Sequence, residues 1–224
     1  MPRLAVLVLV CALGGTARAE EAAHAAADLA ALIAGLAPCD AARAHCFGIQ
    51  LHVTVTGDGV IAKPDWLATQ LAAANRQFAA LGVAFQVVGI DALPAGAAHI
   101  ATRADRDELA TGRLGSGVIH AFIVGQLDDI DRDGQVIRGV TWHTREDGRK
   151  YILVSTAAPE RVLAHELGHF FGLPHSSYAI SIMNKRERKR PPPEQRRFAD
   201  VEIAAMRPVL LRLVRDKVIS ELGK

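Results

Sequence analysis

The apolar positions of this chain change their period several times, and each change marks an element. Over residues 47–56, Ile49, Leu51, Val53 and Val55 alternate with Gln50, His52 and Thr54, the two-residue period of a strand with one buried face. On that pattern His52 stands on the outer, polar face as a surface residue. Gly57-Asp58-Gly59 makes a turn. Pro64 and Asp65 then open a helix through about Ala80, with Trp66, Leu67, Leu71 and Phe78 inward. A second strand, Val83 to Ile90, follows at once. Strand, helix and strand with short links begin a mixed sheet whose crossover is expected to be right-handed.

Residues 91–116 are less regular, with a polar run from Arg103 to Glu108 and a Gly-rich approach at Gly112, Gly115 and Gly117. Val118 to Leu127 returns to strand character and carries His120, which has no partner at metal-ligand spacing and is read as an ordinary core or surface residue. Gly139 to Thr144 and Lys150 to Thr156 bracket Asp147-Gly148, a pair suited to a hairpin turn; the first of the two is short and mixed, as edge strands are. Pro159 and Glu160 start another helix, with Val162, Leu163, Leu167, Phe170 and Phe171 on its buried side. From Asp200 the positions Val201, Ile203, Ala204, Met206, Leu210, Leu211, Val214 and Val218 predict a closing helix, bent or offset at Pro208.

Composition narrows this picture. With 224 residues, 50% of them hydrophobic, the chain suits a single domain with a sizeable core. Residues 1–19 stand apart from that core. Arg3, the apolar run Leu4 to Leu13 and Ala17-Arg18-Ala19 read as a secretory signal peptide cleaved near Ala19, which implies a secreted or periplasmic protein. The run is too short to span a bilayer, so no membrane span is expected. Cys11 raises a lipoprotein alternative, against which stands Val10 before it.

Without Arg3 and Arg18 the formal charge falls from +2 to 0, and nothing calls for nucleic acid. The charge is uneven, near −6 over residues 20–184 and near +6 over 185–224. Within that tail Lys185 to Arg197, with Pro191-Pro192-Pro193, reads as a stiff basic loop: a solvated connector, or a site for an acidic partner or anionic surface. Cys39 and Cys46 remain after processing, and an oxidising compartment makes them a pair, pinning an N-terminal segment (20–46) to the first strand. So short a loop contributes about 2–3 kcal/mol.

The chemistry concentrates in His165-Glu-Leu-Gly-His169-Phe-Phe-Gly172-Leu-Pro-His175. Two histidines four apart on a helix project from one face and suit two corners of a tetrahedral zinc site. Gly172 can end the helix in a left-handed conformation, swinging His175 back as a third ligand and leaving one position open. Glu166 lies to the side of the metal, placed to take a proton from a water held there.

This stretch resembles the long zinc signature of the metzincin metalloendopeptidases. Ser181-Ile182-Met183-Asn184 resembles their Met-turn, and the spacing is similar to the matrixin branch. The resemblance implies zinc ligands His165, His169 and His175, a general base Glu166, and Met183 as an apolar floor beneath the metal. It implies an α/β (α+β) fold: a twisted mixed sheet with an active-site helix, a backing helix and a C-terminal helix. The catalytic domain is expected over 47–224, with an upper part (47–172) and a lower part (173–224). It also makes Val140, Thr141 and Trp142 the edge strand that pairs with an extended protein or peptide substrate. Asn184 and Lys185 depart from the Tyr and Pro that usually follow the methionine. Neither Cys39 nor Cys46 lies in a cysteine-switch motif, and the histidine and aspartate pattern of a second, structural zinc is missing.

A second candidate is the run Asp129, Asp131, Asp133 and Gly134, whose alternate carboxylates suit a calcium ion; a solvated acidic turn is the alternative, since Val140 stands where an EF-hand needs glutamate. Tyr178 lies close enough in sequence to the cleft to assist an oxyanion, with a packing role as the favoured alternative. The whole predicts a secreted, monomeric zinc endopeptidase, with a non-catalytic zinc- or calcium-dependent binding module as the alternative.

Overall fold

The computed structural model describes residues 24, 27–33, 36, 38–40 and 42–223. The signal-peptide reading, with Cys11 and the cleavage position near Ala19, lies outside the described residues. Eight strands are described: β1 (His45–Thr56), β2 (Gly59–Val60), β3 (Val83–Leu93), β4 (His99–Ile100), β5 (Ile119–Val124), β6 (Gln126–Leu127), β7 (Gly139–His143) and β8 (Lys150–Ser155). The α-helices are α1 (Pro64–Phe78), α2 (Arg103–Ala110), α3 (Val162–Phe170) and α4 (Asp200–Arg215), and residues 27–33 are helical as well. The fold is mixed α/β.

In the main sheet β1 lies between β3 and β5, parallel to both; β8 continues parallel to β5, and β7 closes the edge antiparallel to β8. Two apolar layers cover it. One face carries Ile49, Leu51, Val53, Ile119, Ala121, Ile123, Ile152 and Val154 against α1, α3 and α4. The other carries Phe122, Val124, Tyr151 and Leu153 against Leu109 and Ala110 of α2. Strands flanked by parallel neighbours and covered on both faces have no water side. That corrects the half-buried reading of the first strand: His52 and Thr54 are buried, at 1% and 0% exposure.

Residues 91–116 are not irregular throughout, for α2 forms there. Its polar sequence hides it from a hydrophobic period, but Thr102 and Asp105 make a reciprocal capping box, with Thr102 Oγ1 accepting from the Asp105 N–H at 3.1 Å. Arg106 is buried at 2%, donating to the Asp128 carbonyl at 2.6 Å and lying 4.9 Å from the Trp142 ring. Its own carbonyl accepts from the Tyr151 hydroxyl. Pro208 is accommodated inside α4, whose buried stripe is Ile203, Met206 and Leu210; Val201, Leu211 and Val218 face outward instead of into the core. Cys39 and Cys46 form a disulfide, with Cys46 in β1, and Leu29 and Leu32 of the helical segment pack into the core.

Candidate active site

The helix α3 begins at Val162, a few residues after the Pro159 start read from the sequence. No side chain of its own caps it. Gln70 of α1, buried at 1%, does so from outside: its Oε1 accepts from Leu163 N–H at 3.1 Å and its Nε2 donates to the Pro159 carbonyl at 2.9 Å. Leu163, Leu167, Phe170 and Phe171 are buried in the core, which fixes the rotation of the helix and turns His165 and His169 outward.

Three imidazoles meet there. The ligand atoms of His165, His169 and His175 all lie within 4.8 Å of one another, and the Nε2 atoms of His169 and His175 are 3.1 Å apart. A tetrahedral zinc with arms of about 2.0–2.1 Å has edges of about 3.3 Å, so this spacing suits two of its corners. The Nδ1 atom of His165 lies 2.8 Å from the Ile182 carbonyl, and that of His169 lies 2.6 Å from the Leu173 carbonyl. A carbonyl can only accept, so each Nδ1 carries the proton and each Nε2 keeps its lone pair. Burial pushes His165 and His175 down to about 4 and lowers His169 as well, so all three stay neutral and able to ligate at neutral pH. Gly172 has φ of +90°, the left-handed turn expected of it, and its N–H donates to the His169 carbonyl at 2.9 Å.

Met183 is fully buried beneath this group. A Cβ on Gly168 would stand 2.7 Å from its Sδ, so the glycine inside the motif lets the methionine reach the helix. The turn is held from below: Met183 N–H donates to Ser181 Oγ at 2.8 Å, and that hydroxyl meets both oxygens of buried Glu202 at 2.7 Å. Glu202 therefore anchors the turn to α4.

Glu166 is 4% exposed and lines the same cleft as the imidazoles. Burial pushes its carboxyl up to about 7, partly offset by the hydrogen bond from Thr141 and the charge of Lys185. Thr141 Oγ1 lies 2.7 Å from the Glu166 carbonyl oxygen and 3.0 Å from Oε2. One residue before Val140, a Cβ on Gly139 would lie 2.6 Å from Val162 and 3.1 Å from Glu166 Oε1, so a glycine there permits the close approach of β7 to α3. Gln70, Gly139 and Glu202 are positioning residues that sequence patterns did not reveal, and Thr141 and Ser181, singled out for the edge strand and the Met-turn, gain positioning roles the sequence did not disclose. Their partners are remote in the chain, and only the Gly and Thr of an edge strand could have hinted at them.

Val140, Thr141 and Trp142 line this cleft of about 1430 Å3, with β7 at the edge of the sheet. No strand among the described residues covers its outer side. Tyr178 is exposed at 46% and lies outside the cleft lining, which corrects the reading of it as a group that assists an oxyanion. The calcium reading is not supported either. Asp131 Oδ1 pairs with Arg103 at 2.8 Å, Asp129 Oδ1 accepts from the Asp131 N–H at 3.0 Å, and Asp133 is exposed. These carboxylates serve their own turn, and the three histidines form the one metal-binding group found among the described residues.

Comparison with known proteins bears first on the fold. Among solved structures the chain is similar to metalloproteinase-II from Bacteroides fragilis, with a TM-score of 0.53 and 14% identity over 77% of this chain. The match spans 55% of that metalloproteinase chain, and at this identity it establishes the fold. The family follows. The matrixin model (Peptidase_M10) matches residues 102–205, and over that stretch the resemblance to the matrixin-like branch of the metzincins is borne out. No curated protein matches the chain at a significant level.

Proposed function

We propose that this chain is an exported zinc endopeptidase that hydrolyses protein or peptide bonds. The observation that carries the proposal is three imidazoles whose ligand atoms converge, two of them with Nε2 freed by a carbonyl on Nδ1, in one cleft with Glu166 and beside a strand edge that no described strand covers. Nε2 lone pairs on His165 and His169, fixed by carbonyls on the opposite ring nitrogen, fit a zinc ion. Zinc bound there supplies Lewis acidity, polarising the scissile carbonyl and lowering the pKa of water toward 7.

The protein's own groups do the rest. The edge of β7 binds an extended substrate through main-chain hydrogen bonds and lays its carbonyl over the histidines. Thr141 holds Glu166 Oε2, leaving Oε1 to accept a proton from the attacking water. The water oxygen bonds to the carbonyl carbon, the C–N bond breaks, and Glu166 passes the proton to the departing nitrogen. Ionised Glu166 is favoured by a dication alongside it, against the upward push of burial. The disulfide between Cys39 and Cys46 is compatible with an oxidising compartment, and no helix among the described residues is long and apolar enough to cross a membrane.

Glu166→Ala is the test. The variant retains zinc, measured by atomic emission on purified protein, while peptide cleavage falls by about 10²–10⁴. Cleavage at the parent rate in a zinc-replete variant would end the proposal.

A further inference from the structure

The cleft is unevenly charged. At the N-terminal end of α3, Arg161 occupies the residue just before the first turn, without a capping hydrogen bond, and Arg138 precedes Gly139, which lies against Val162. From the opposite side the basic loop brings Lys185, Arg188 and Arg196, and all five residues line the cleft. Among the described residues none of the five has a carboxylate within ion-pairing distance. Four carboxylates share the lining and each is engaged: Asp131 pairs with Arg103, Glu160 with Arg76, Asp129 accepts from the Asp131 N–H, and Glu166 accepts from Thr141.

The loop cations are held in place without being neutralised. Arg188 donates to the carbonyls of Ala179, Ser181 and Asn184, at 2.8, 2.5 and 2.8 Å. Arg196 donates to the carbonyls of Pro191 and Arg188, at 3.0 and 2.7 Å, and its own carbonyl accepts from Gln77 of α1 at 3.0 Å. Carbonyls fix the direction of a guanidinium but leave its unit charge intact. Lys185, two residues beyond Met183, acts electrostatically on Glu166 and on each of the three histidines. Like charges gathered on a low-dielectric wall repel one another, and an anionic ligand relieves that cost.

We propose that this cleft selects acidic peptides, with Asp or Glu side chains flanking the bond to be cut, read by Arg138, Arg161, Lys185, Arg188 and Arg196. The inference rests on the endopeptidase reading and names its substrate class. It gives the basic loop a ligand in place of the role of a solvated connector.

Binding and cleavage separate the two claims. Zinc-loaded Glu166→Ala protein is titrated, by fluorescence anisotropy, with matched peptides carrying Asp and Glu or Asn and Gln at the same positions. The acidic set binds about tenfold tighter or more at low salt, and the advantage shrinks as salt is raised. In the double variant Arg161→Glu, Lys185→Glu the acidic-to-neutral affinity ratio falls to one or below. Lys189→Glu, an exposed change outside the cleft lining, keeps the ratio and shows that the effect is local rather than one of net charge. Equal binding of both sets overturns the inference, as does a ratio lost equally in Lys189→Glu, which would point to a diffuse anionic surface. An acidic preference in binding, with no peptide cleaved by the parent enzyme, supports the charge selection and sinks the hydrolase reading alone.

Discussion

Two groups of imidazoles meet inside this protein, and their second ring nitrogens send them to opposite ends. In His165 and His169 a backbone carbonyl accepts from Nδ1–H, so the Nε2 lone pairs are left to converge with His175 where a cation would be held. His52 and His120 instead consume each other. His120 Nε2 accepts from the Gly115 N–H at 2.8 Å, which leaves its Nδ1 protonated and donating to His52 Nε2 at 2.9 Å. Both accepting nitrogens are then occupied, and His52 lies stacked on Phe122 with centroids 4.4 Å apart. Histidines brought close by a fold form a metal site when acceptors hold their protons, and form part of the core when they hold one another's.

The largest expected effect breaks the first group. In His169→Ala bound zinc drops far below the parent level by atomic emission, and peptide cleavage falls below detection. A variant that keeps both would show that the ion sits elsewhere. His52→Ala, by contrast, removes a fully buried ring and a paired hydrogen bond, and costs about 2–4 kcal/mol in urea denaturation. Zinc content and kcat/KM of the folded fraction stay at the parent values. Loss of zinc from this variant would make the second group part of the metal site after all.

Acid separates the two groups more gently. Burial, reinforced by the charge of His120, pushes His52 down to about 4, below the ordinary value of 6.5 that it regains on unfolding. The unfolded chain therefore binds the proton first. Stability from His52 is fully present above pH 6.5, drains as pH falls, and is gone below about 4. Between pH 7.5 and 5.5 the loss is about 1–2 kcal/mol. Stability curves for the parent and for His52→Phe, both zinc-loaded, should converge in shape only above pH 6.5; parallel curves throughout would remove the assignment.

The same contrast marks what the sequence disclosed. The eleven residues from His165 to His175 act through helix geometry and one glycine turn, so spacing alone places them. His52 and His120 lie 68 positions apart and meet because β1 and β5 are neighbours. Alternation in β1 suggested a wet face for His52, and the reading failed because that face stacks on Phe122 and His120, in the layer that α2 joins. That helix has no apolar period to announce it, although Thr102 and Asp105 carried the capping signal. The aspartates at 129, 131 and 133 show the converse failure, where a local pattern matched a calcium loop but the side chains turned to Arg103 and to their own backbone.

Each group also has a carboxylate beside it, and the smallest predicted effect tests that difference. Asp91 stands 3.4 Å from His52 Nδ1 with its side chain 60% exposed, whereas Glu166 is buried and tied to Thr141. Thr141 donates to the carboxylate, so its hydroxyl favours the ionised form and holds the Glu166 pKa down against burial. Thr141→Val removes that donor and keeps the shape. The carboxyl then rises further, less of it is ionised at a given pH, and the acid limb of the kcat/KM profile moves to higher pH. At pH 7 the rate falls about three- to tenfold and recovers toward the parent value as pH is raised. A uniform loss at every pH would mean that Thr141 only shapes the strand, whereas recovery in alkali marks it as the group that keeps Glu166 a base.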